Sequence, residues 1–443
     1  MNLDSLKQAI GARSFWPKAS AKALLPDQNL MRESYLTALD QLESVNIVTS
    51  IMGQRRCGKS VVSRQYIERL WQAGIPRKNI LYINFFLKAT GDISNENQFT
   101  AIAEWWIKEC VDPDKPCYML LDEVHELENW DEQIASLFED PLMPCRLIIT
   151  GSNSKILSEE LSTKLGGRYT TLQVFPFSFS EYCQFVGVEP SLQQVEPYLN
   201  TGGMPEVLKV QGAEQRQQLI SDIINSTISH DIVARYNPSN PKLLYALIDF
   251  CRLSFSQELS IKKISNSAFE RQTVATKQTH SSLIETYIGY MQDVYFLYTP
   301  QTYSYRNKEV LKRSVNKIYL GDLCMANYKP HTQQGRLLEN MVYLELIRRH
   351  FKVQRFLGYR NRNLEIDFFA EKNHRTVMIQ VCWQLGDQEE NTTLWEREFG
   401  NLHHTRSEAE KWLVSLDSDV VSPYKGIEAM DIIKFLRRIE QFE

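Results

Sequence analysis

The sequence predicts an α/β protein built on a parallel sheet, and two observations predict it. Apolar, β-branched runs recur at 45–52, 80–85, 117–122 and 145–150, separated by stretches with helical spacing. The first run passes through Gly53-Gln54-Arg55-Arg56-Cys57-Gly58-Lys59-Ser60 into 61–71, which has helical spacing and ends near Gly74-Ile75-Pro76.

Strand, glycine loop and helix in that order are the context that G-x-x-x-x-G-K-S requires of a phosphate-binding loop. Gly53 and Gly58 let backbone N–H groups curl around a β-phosphate at the positive end of a helix. Lys59 reaches the β- and γ-phosphates, and Ser60 offers a hydroxyl to Mg²⁺. Gln54, Arg55, Arg56, Cys57 and Val61 complete the expected ATP-binding set.

The strand at 117–122 ends in Asp122-Glu123. In a phosphate-loop fold this strand is expected beside the loop strand, with Asp122 holding the Mg²⁺ shell and Glu123 polarising a water for attack on the γ-phosphate. The competing reading is a helix N-cap, because acids favour a helix start. The stretch at 80–85 supplies the intervening strand. The fourth strand ends in the polar tip Gly151-Ser152-Asn153-Ser154, readable equally as an ordinary capped turn. Leu165-Gly166-Gly167-Arg168 then leads into a strand at 169–174.

At 443 residues the chain has room for two or three domains. No apolar run is long enough for a transmembrane helix, and the first residues lack the apolar core of a signal peptide. Eight scattered cysteines without a C-x-x-C pair point to buried thiols, so the cytoplasm is the expected compartment and no membrane partner is expected. The net charge of −4 hides an asymmetry. Residues 301–363 carry 13 Lys/Arg against 4 Asp/Glu, and residues 364–443 carry 9 against 16. With Tyr303, Tyr305, Tyr319, Tyr328, Tyr343 and Tyr359 interleaved, the basic stretch suits a DNA backbone. It suits equally a face balanced by the acidic tail.

Pattern shifts divide the chain into a lead-in at 1–30, an ATPase core at 31–183, a helical lid at 184–238, a winged helix at 239–334 and an α/β unit at 335–443. Pro17 and Pro26 break the lead-in; Ser180 is the expected cap of the helix after Phe175-Pro176-Phe177; the lid breaks at Thr201-Gly202-Gly203-Met204-Pro205. The winged helix is expected from helices at 243–255, 260–264 and 279–291 and from two wing strands at 294–299 and 317–320, with a basic tip from Arg306 to Arg313. Lys277, Gln278, His280 and Ser281 stand near the start of its third helix, which either enters a DNA groove or forms a protein joint. In the last unit an amphipathic helix at 335–346 precedes strands at 364–370 and 376–383. Glu339, Asp367 and Gln380 follow the order of a restriction-endonuclease-like metal site. Cys382 stands where such a site wants a lysine, so nuclease activity is not expected.

These motifs, with Leu121-Asp122-Glu123-Val124-His125, Thr150-Gly151-Ser152, Gly167-Arg168, Gly321-Asp322 and Leu338-Glu339-Asn340, resemble a family of prokaryotic AAA-type ATPases over roughly residues 31–385. The resemblance implies a P-loop NTPase of AAA-like architecture, a winged helix and a restriction-endonuclease-like domain, in that order. It implies that Ser152 or Asn153 senses the γ-phosphate. For Arg168 two readings stand side by side: a finger on a neighbouring subunit's nucleotide, as the resemblance implies and which would make the protein a homo-oligomer, or an arginine that only binds carboxylates within the fold. The expected function is an ATP-hydrolysing switch or motor, acting on DNA or in defence against mobile DNA. The alternative is an ATP-gated adaptor with little hydrolysis.

Overall fold

The structure is a computed structural model. It describes residues 29–86, 96–152, 163–259, 274–303, 316–327, 333–357, 365–405 and 407–442, with single positions 4, 7, 8, 10, 25 and 264. The chain divides into two compact units, 1–176 and 177–443.

In the first unit the elements are α1 (Glu33–Leu42), β1 (Val48–Met52), α2 (Lys59–Gln72), β2 (Ile80–Asn84), α3 (Glu96–Trp105), β3 (Tyr118–Asp122), α4 (Trp130–Glu139), β4 (Arg146–Gly151) and β5 (Tyr169–Gln173). Every residue of β1 and β3 is buried, as a parallel sheet covered on both faces requires. The strand order is β2-β3-β4-β1-β5, all parallel. This corrects the expectation that Asp122's strand lies beside the loop strand. β4 is inserted between them, and β2 lies at the sheet edge. The insertion brings the polar tip of β4 directly alongside the loop, because Gly151 pairs with Met52.

The second unit begins with α5 (Phe179–Val186), α6 (Leu192–Thr201), α7 (Pro205–Leu208) and α8 (Ala213–Ser226). The cap of α5 is Ser178, not Ser180. Its side chain accepts from Glu181 N–H, and the Glu181 carboxylate accepts in turn from Ser178 N–H. A serine three residues before a glutamate satisfies two orphan donors at once, which Ser180 has no partner to do. Then come α9 (Pro241–Leu253), β6 (Glu258–Leu259), α10 (Val274–Asp293), β7 (Leu297–Tyr298), β8 (Thr302–Tyr303), β9 (Asn316–Lys317) and β10 (Tyr319–Leu320). β7 pairs with β10 and β6 with β9, both antiparallel. Residues 260–263 of the expected helix at 260–264, the basic tip at 306–313 and the side chains of Lys277, Gln278 and His280 lie outside the described residues.

The unit ends with α11 (Gln334–Arg348), β11 (Lys352–Leu357), β12 (Glu365–Lys372), β13 (Arg375–Val381), α12 (Thr392–His404), β14 (Glu410–Ser415), β15 (Glu428–Asp431) and α13 (Ile432–Glu440). The strands form a sheet in the order β15-β14-β13-β12-β11-β8. β11, β12 and β13 run antiparallel in turn, while β13, β14 and β15 are parallel. Helix α11 is not amphipathic as expected. Leu337 through Leu346 are all buried, because the helix packs on α6 as well as on the sheet. Asn340 then becomes intelligible: its amide donates to Leu320 O and accepts from Leu320 N–H, closing the edge of β10.

Two glycine and acid motifs 119 residues apart meet in this unit. The Asp322 carboxylate accepts from Gly203 N–H and Cys324 N–H, each at 2.9 Å. Gly202 has φ +71°, and a Cβ there would lie 2.1 Å from Asp322 Oδ1. Among the described residues no helix is long and apolar enough to cross a membrane. Replacing Asp322 with Ala strands two buried N–H donors and should cost about 2–4 kcal/mol, read as a lowered denaturation midpoint for this unit. An unchanged midpoint would show that water serves those donors equally well.

Candidate nucleotide site

Residues 53–60 join β1 to α2. A Cβ on Gly53 would lie 2.1 Å from Val174 O, so the loop can start here only without a side chain. Gly58, at φ +107°, caps α2 and offers no side chain to its first N–H groups. Lys59 is buried, and its ammonium donates to Gly53 O at 3.0 Å and Gln54 O at 3.1 Å. The Cys57 thiol donates to Val174 O at 3.1 Å; burial pushes its pKa up against the pull of Lys59 and Arg32, which leaves it unreactive. Gln54 is buried too, and Arg56 sits at φ +65°. Arg32, which the sequence did not single out, is buried beneath the loop and donates to Phe175 O at 2.7 Å and Cys57 O at 3.4 Å. An arginine preceding a helix carries no local signal of that reach.

Asp122 is the hub. Its Oδ1 accepts from Ser60 Oγ at 3.0 Å and Thr150 Oγ1 at 2.6 Å. Its Oδ2 accepts from Tyr82 Oη at 2.8 Å and Asn84 Nδ2 at 2.9 Å. A helix-cap role is therefore not what holds this acid: both oxygens are engaged by side chains of neighbouring strands and of the loop. Tyr82, Asn84 and Thr150 were not singled out from sequence. Their signal is positional, since each stands near the C-terminal end of its strand.

Glu123 has φ +55°, a left-handed conformation that costs a non-glycine residue about 1–3 kcal/mol. Thr150 accepts from its N–H at 3.0 Å and fixes the turn. Its Oε2 is buried and has no hydrogen bond; His125 Nδ1, likewise unbonded, lies 3.5 Å away. Ser152 is buried and follows Gly151, which pairs with Met52, so it flanks Gly53. Asn153 lies outside the described residues. The structure thus brings together Gly53 to Ser60, Asp122, Glu123 and Ser152. It does not bring Arg168 to them. Arg168 precedes β5, whose Tyr169 pairs with Val48 at the opposite end of β1 from the loop. Its guanidinium pairs with Glu139 and lies 5.2 Å from the Phe138 ring centroid.

The acids of the second unit also converge, on an unexpected partner. Lys317 Nζ donates to Glu339 Oε1 at 2.6 Å and Asp367 Oδ1 at 2.9 Å. Sequence reading left Lys317 in a stretch that either contacts DNA or is balanced by the acidic tail. Lys317, Arg348, Arg349, Lys352 and Arg355 of that stretch pair with carboxylates, and Asp367, Glu440, Glu371 and Glu365 among these belong to the acidic tail. Tyr319 and Tyr343 are buried and stack on each other with centroids 4.3 Å apart, so neither is free to stack on a base. Tyr305, Tyr328, Tyr359 and Arg306 to Arg313 lie outside the described residues. The Cys382 thiol donates to Gln384 O at 3.4 Å, and burial pushes its pKa up to about 12.

Two carboxylates against one ammonium leave an excess negative charge in a buried place. Burial, then the charge of Asp367, pushes the Glu339 carboxyl from 4.5 up to about 8, with Lys317 acting the other way. A carboxyl raised on folding stabilises most below its unfolded pKa, and that contribution is lost as pH rises through the folded one. Wild-type stability should therefore fall between about 4.5 and about 8, while Glu339→Gln, already neutral, should lose less over the same window. Parallel stability–pH curves for the two chains would contradict this.

Comparison with known proteins adds the following. Residues 45–183 match the AAA domain family, and residues 192–334 match a domain of unknown function, DUF8612. An uncharacterized protein of Haemophilus influenzae is 28% identical over 92% of this chain and 98% of its own length. An uncharacterized protein of Methanocaldococcus jannaschii is 29% identical over 77% of this chain and 76% of its own. Among solved structures, Cdc6p from Pyrobaculum aerophilum aligns at a TM-score of 0.32 and 14% identity, over 75% of this chain and 98% of that one. The phosphate loop, the Asp122 hub and the parallel sheet of the first unit thus all lie within the segment that matches the AAA domain family.

Proposed function

We propose that the first unit binds ATP with Mg²⁺ and hydrolyses it, and that the protein works as an ATP-driven switch. The observation that carries this is the bond between Ser60 and Asp122, made beside a helix start that no side chain caps. The donor set fits the ligands. A glycine start closes on Val174, the first turn of α2 offers backbone N–H groups, and a hydroxyl and a carboxylate stand together as oxygen donors for a hard cation.

Ser60 and Asp122 would hold Mg²⁺, which, when bound, draws charge from the phosphate oxygens. Lys59 exchanges two loop carbonyls for phosphate oxygens, so its ammonium is never left without acceptors. Glu123 Oε2, which has no hydrogen bond, orients the attacking water and takes its proton. Ser152, flanking the loop, reads the γ-phosphate. Arg168 faces away from its own loop and serves the nucleotide of a second copy. The division proposed for the rest is lid 184–238, winged helix 239–334 and nuclease-like unit 335–443. The pairing of β7 with β10 and of β6 with β9 around α9 and α10 supports the winged helix. DNA contact, as the partner reading, rests on α10 and on Arg306, Lys308, Lys312 and Arg313.

Lys59→Ala should lose tight ATP binding or turnover, a penalty on the order of 3 kcal/mol at the transition state. Wild-type turnover in that chain would remove the proposal. Glu123→Gln should bind ATP and not hydrolyse it; Thr150→Val should keep nucleotide binding but demand more Mg²⁺, because Asp122 loses its 2.6 Å partner. Normal activity and normal Mg²⁺ demand in both would reduce the hub to scaffolding.

Arg168→Ala should cut turnover about 10³-fold or more while ATP still binds. Mixing it with Glu123→Gln should restore part of the activity, since one interface in a mixed assembly keeps both groups. No rescue, in an assembly shown to exchange subunits, would leave the arginine a structural partner of Glu139. For DNA, neutralising Arg306, Lys308 and Lys312 together should shallow the salt dependence of binding by about one unit per lost contact. A salt-independent affinity would favour the adaptor reading.

A further inference from the structure

In the second unit Lys317, Glu339 and Asp367 are 6%, 8% and 6% exposed, so three charged groups are shut in together. Lys317 comes from the short ribbon of β6 and β9, Glu339 from α11 and Asp367 from β12. The ammonium lies 2.6 Å from Glu339 Oε1, 2.9 Å from Asp367 Oδ1 and 3.6 Å from Glu365 Oε1. Tyr319 Oη donates to the same Glu339 oxygen at 2.5 Å, and Val381 N–H donates to Asp367 Oδ2 at 3.0 Å. Arg355 of β11 pairs with Glu258 of β6 and, at 3.1 Å, with Glu365. Beside the acids, Gln380 is buried with its amide N–H donated to Glu398 at 2.8 Å and its Oε1 without a hydrogen bond. It is the residue cross-strand from Asp367, continuing the register of Phe368 with Ile379.

We propose that Lys317 is the cation of this site: its ammonium fills the place between Glu339 and Asp367 that a divalent metal would take, converting a latent metal site into a buried clasp that fixes the β6–β9 ribbon to the six-stranded sheet.

Three observations carry this. The two carboxylates converge on one point, and that point is the lysine nitrogen. Taking two ionised acids out of water is costly, and a cation placed between them offsets that cost. Among the described residues no group of three His, Cys, Asp or Glu side chains is placed to hold a metal ion, while Glu339 and Asp367 each lie within 3 Å of the lysine nitrogen, at 2.6 and 2.9 Å. The orphaned Gln380 oxygen is the remaining hard donor that a metal would recruit. Cys382, whose thiol turns to Gln384 O, has no part in the arrangement.

The test is Mn²⁺ titration of the full chain, read as a thermal shift and by the paramagnetic signal of bound Mn²⁺, with ATP absent and Asp122→Asn as background to silence the first unit. The parent should show no shift. Lys317→Ala should gain one Mn²⁺ and a Mn²⁺-dependent rise in Tm, and adding Asp367→Asn should abolish both. Mn²⁺ bound by the parent and lost on Asp367→Asn would overturn the proposal, as would a folded Lys317→Ala that ignores Mn²⁺. Should Lys317→Ala not fold, Lys317→Gln takes its place. If neither folds in chelator, refolding in Mn²⁺ decides: recovery supports the clasp, and failure to recover overturns it.

Discussion

Asp122 has two oxygens and four side-chain donors, and the geometry of the nucleotide site depends on that balance. Because β4 is inserted between β1 and β3, the acid must reach across a strand to meet the loop. Thr150 spans the gap. Its hydroxyl donates to Asp122 and accepts from Glu123 N–H, so one side chain fixes the acid and the turn that follows it. Tyr82 and Asn84 hold the other oxygen from the far side. Asp122 is therefore oriented from two strands and the first turn of α2, and Glu123 inherits its place from that orientation.

The two acidic sites of the chain differ in what surrounds the carboxylates. Asp122 is held by hydroxyls and an amide, which fix its direction and leave its formal charge in place to attract a cation. Glu339 and Asp367 are held by an ammonium, which cancels charge. Neutral donors make a site that waits for a metal. A lysine makes one that no longer needs it. On the readings proposed above, the same chemistry would give one unit an open cation site and the other an internal fastening, and the difference lies in a single partner drawn from a distant strand.

That distance explains what the sequence made legible. β1, the loop, α2 and the Asp122-Glu123 strand end are local patterns, and their residues are neighbours in the chain as well as in the fold. Ser178 was open to the same local reading, since the Ser-x-x-Glu spacing to Glu181 is explicit. Strand order was not legible, because β-branched runs carry no record of which neighbour they pair with. Lys317 was not legible either. It lies 50 residues from Asp367, in a stretch whose average charge suggested a phosphate backbone. Averages over a segment cannot say which charges are spent inside, and here Arg348, Arg349 and Arg355 are spent as well.

Arg168 follows the same logic of distance. It precedes β5 at the end of the sheet opposite the loop, and five residues of strand span roughly 16 Å. Rotamer changes do not close such a gap within one chain, so in the proposed assembly only a second copy's nucleotide is in reach. What Arg168 would leave behind is small. Its pair with Glu139 is half-exposed on both sides, and such surface pairs contribute about 1 kcal/mol or less. An arginine finger contributes several times that at a developing phosphoryl charge. In the proposed assembly that balance would favour exchange: the weak surface pair with Glu139 would hold the guanidinium while the copies are apart, and a neighbour's γ-phosphate would outcompete it when they meet.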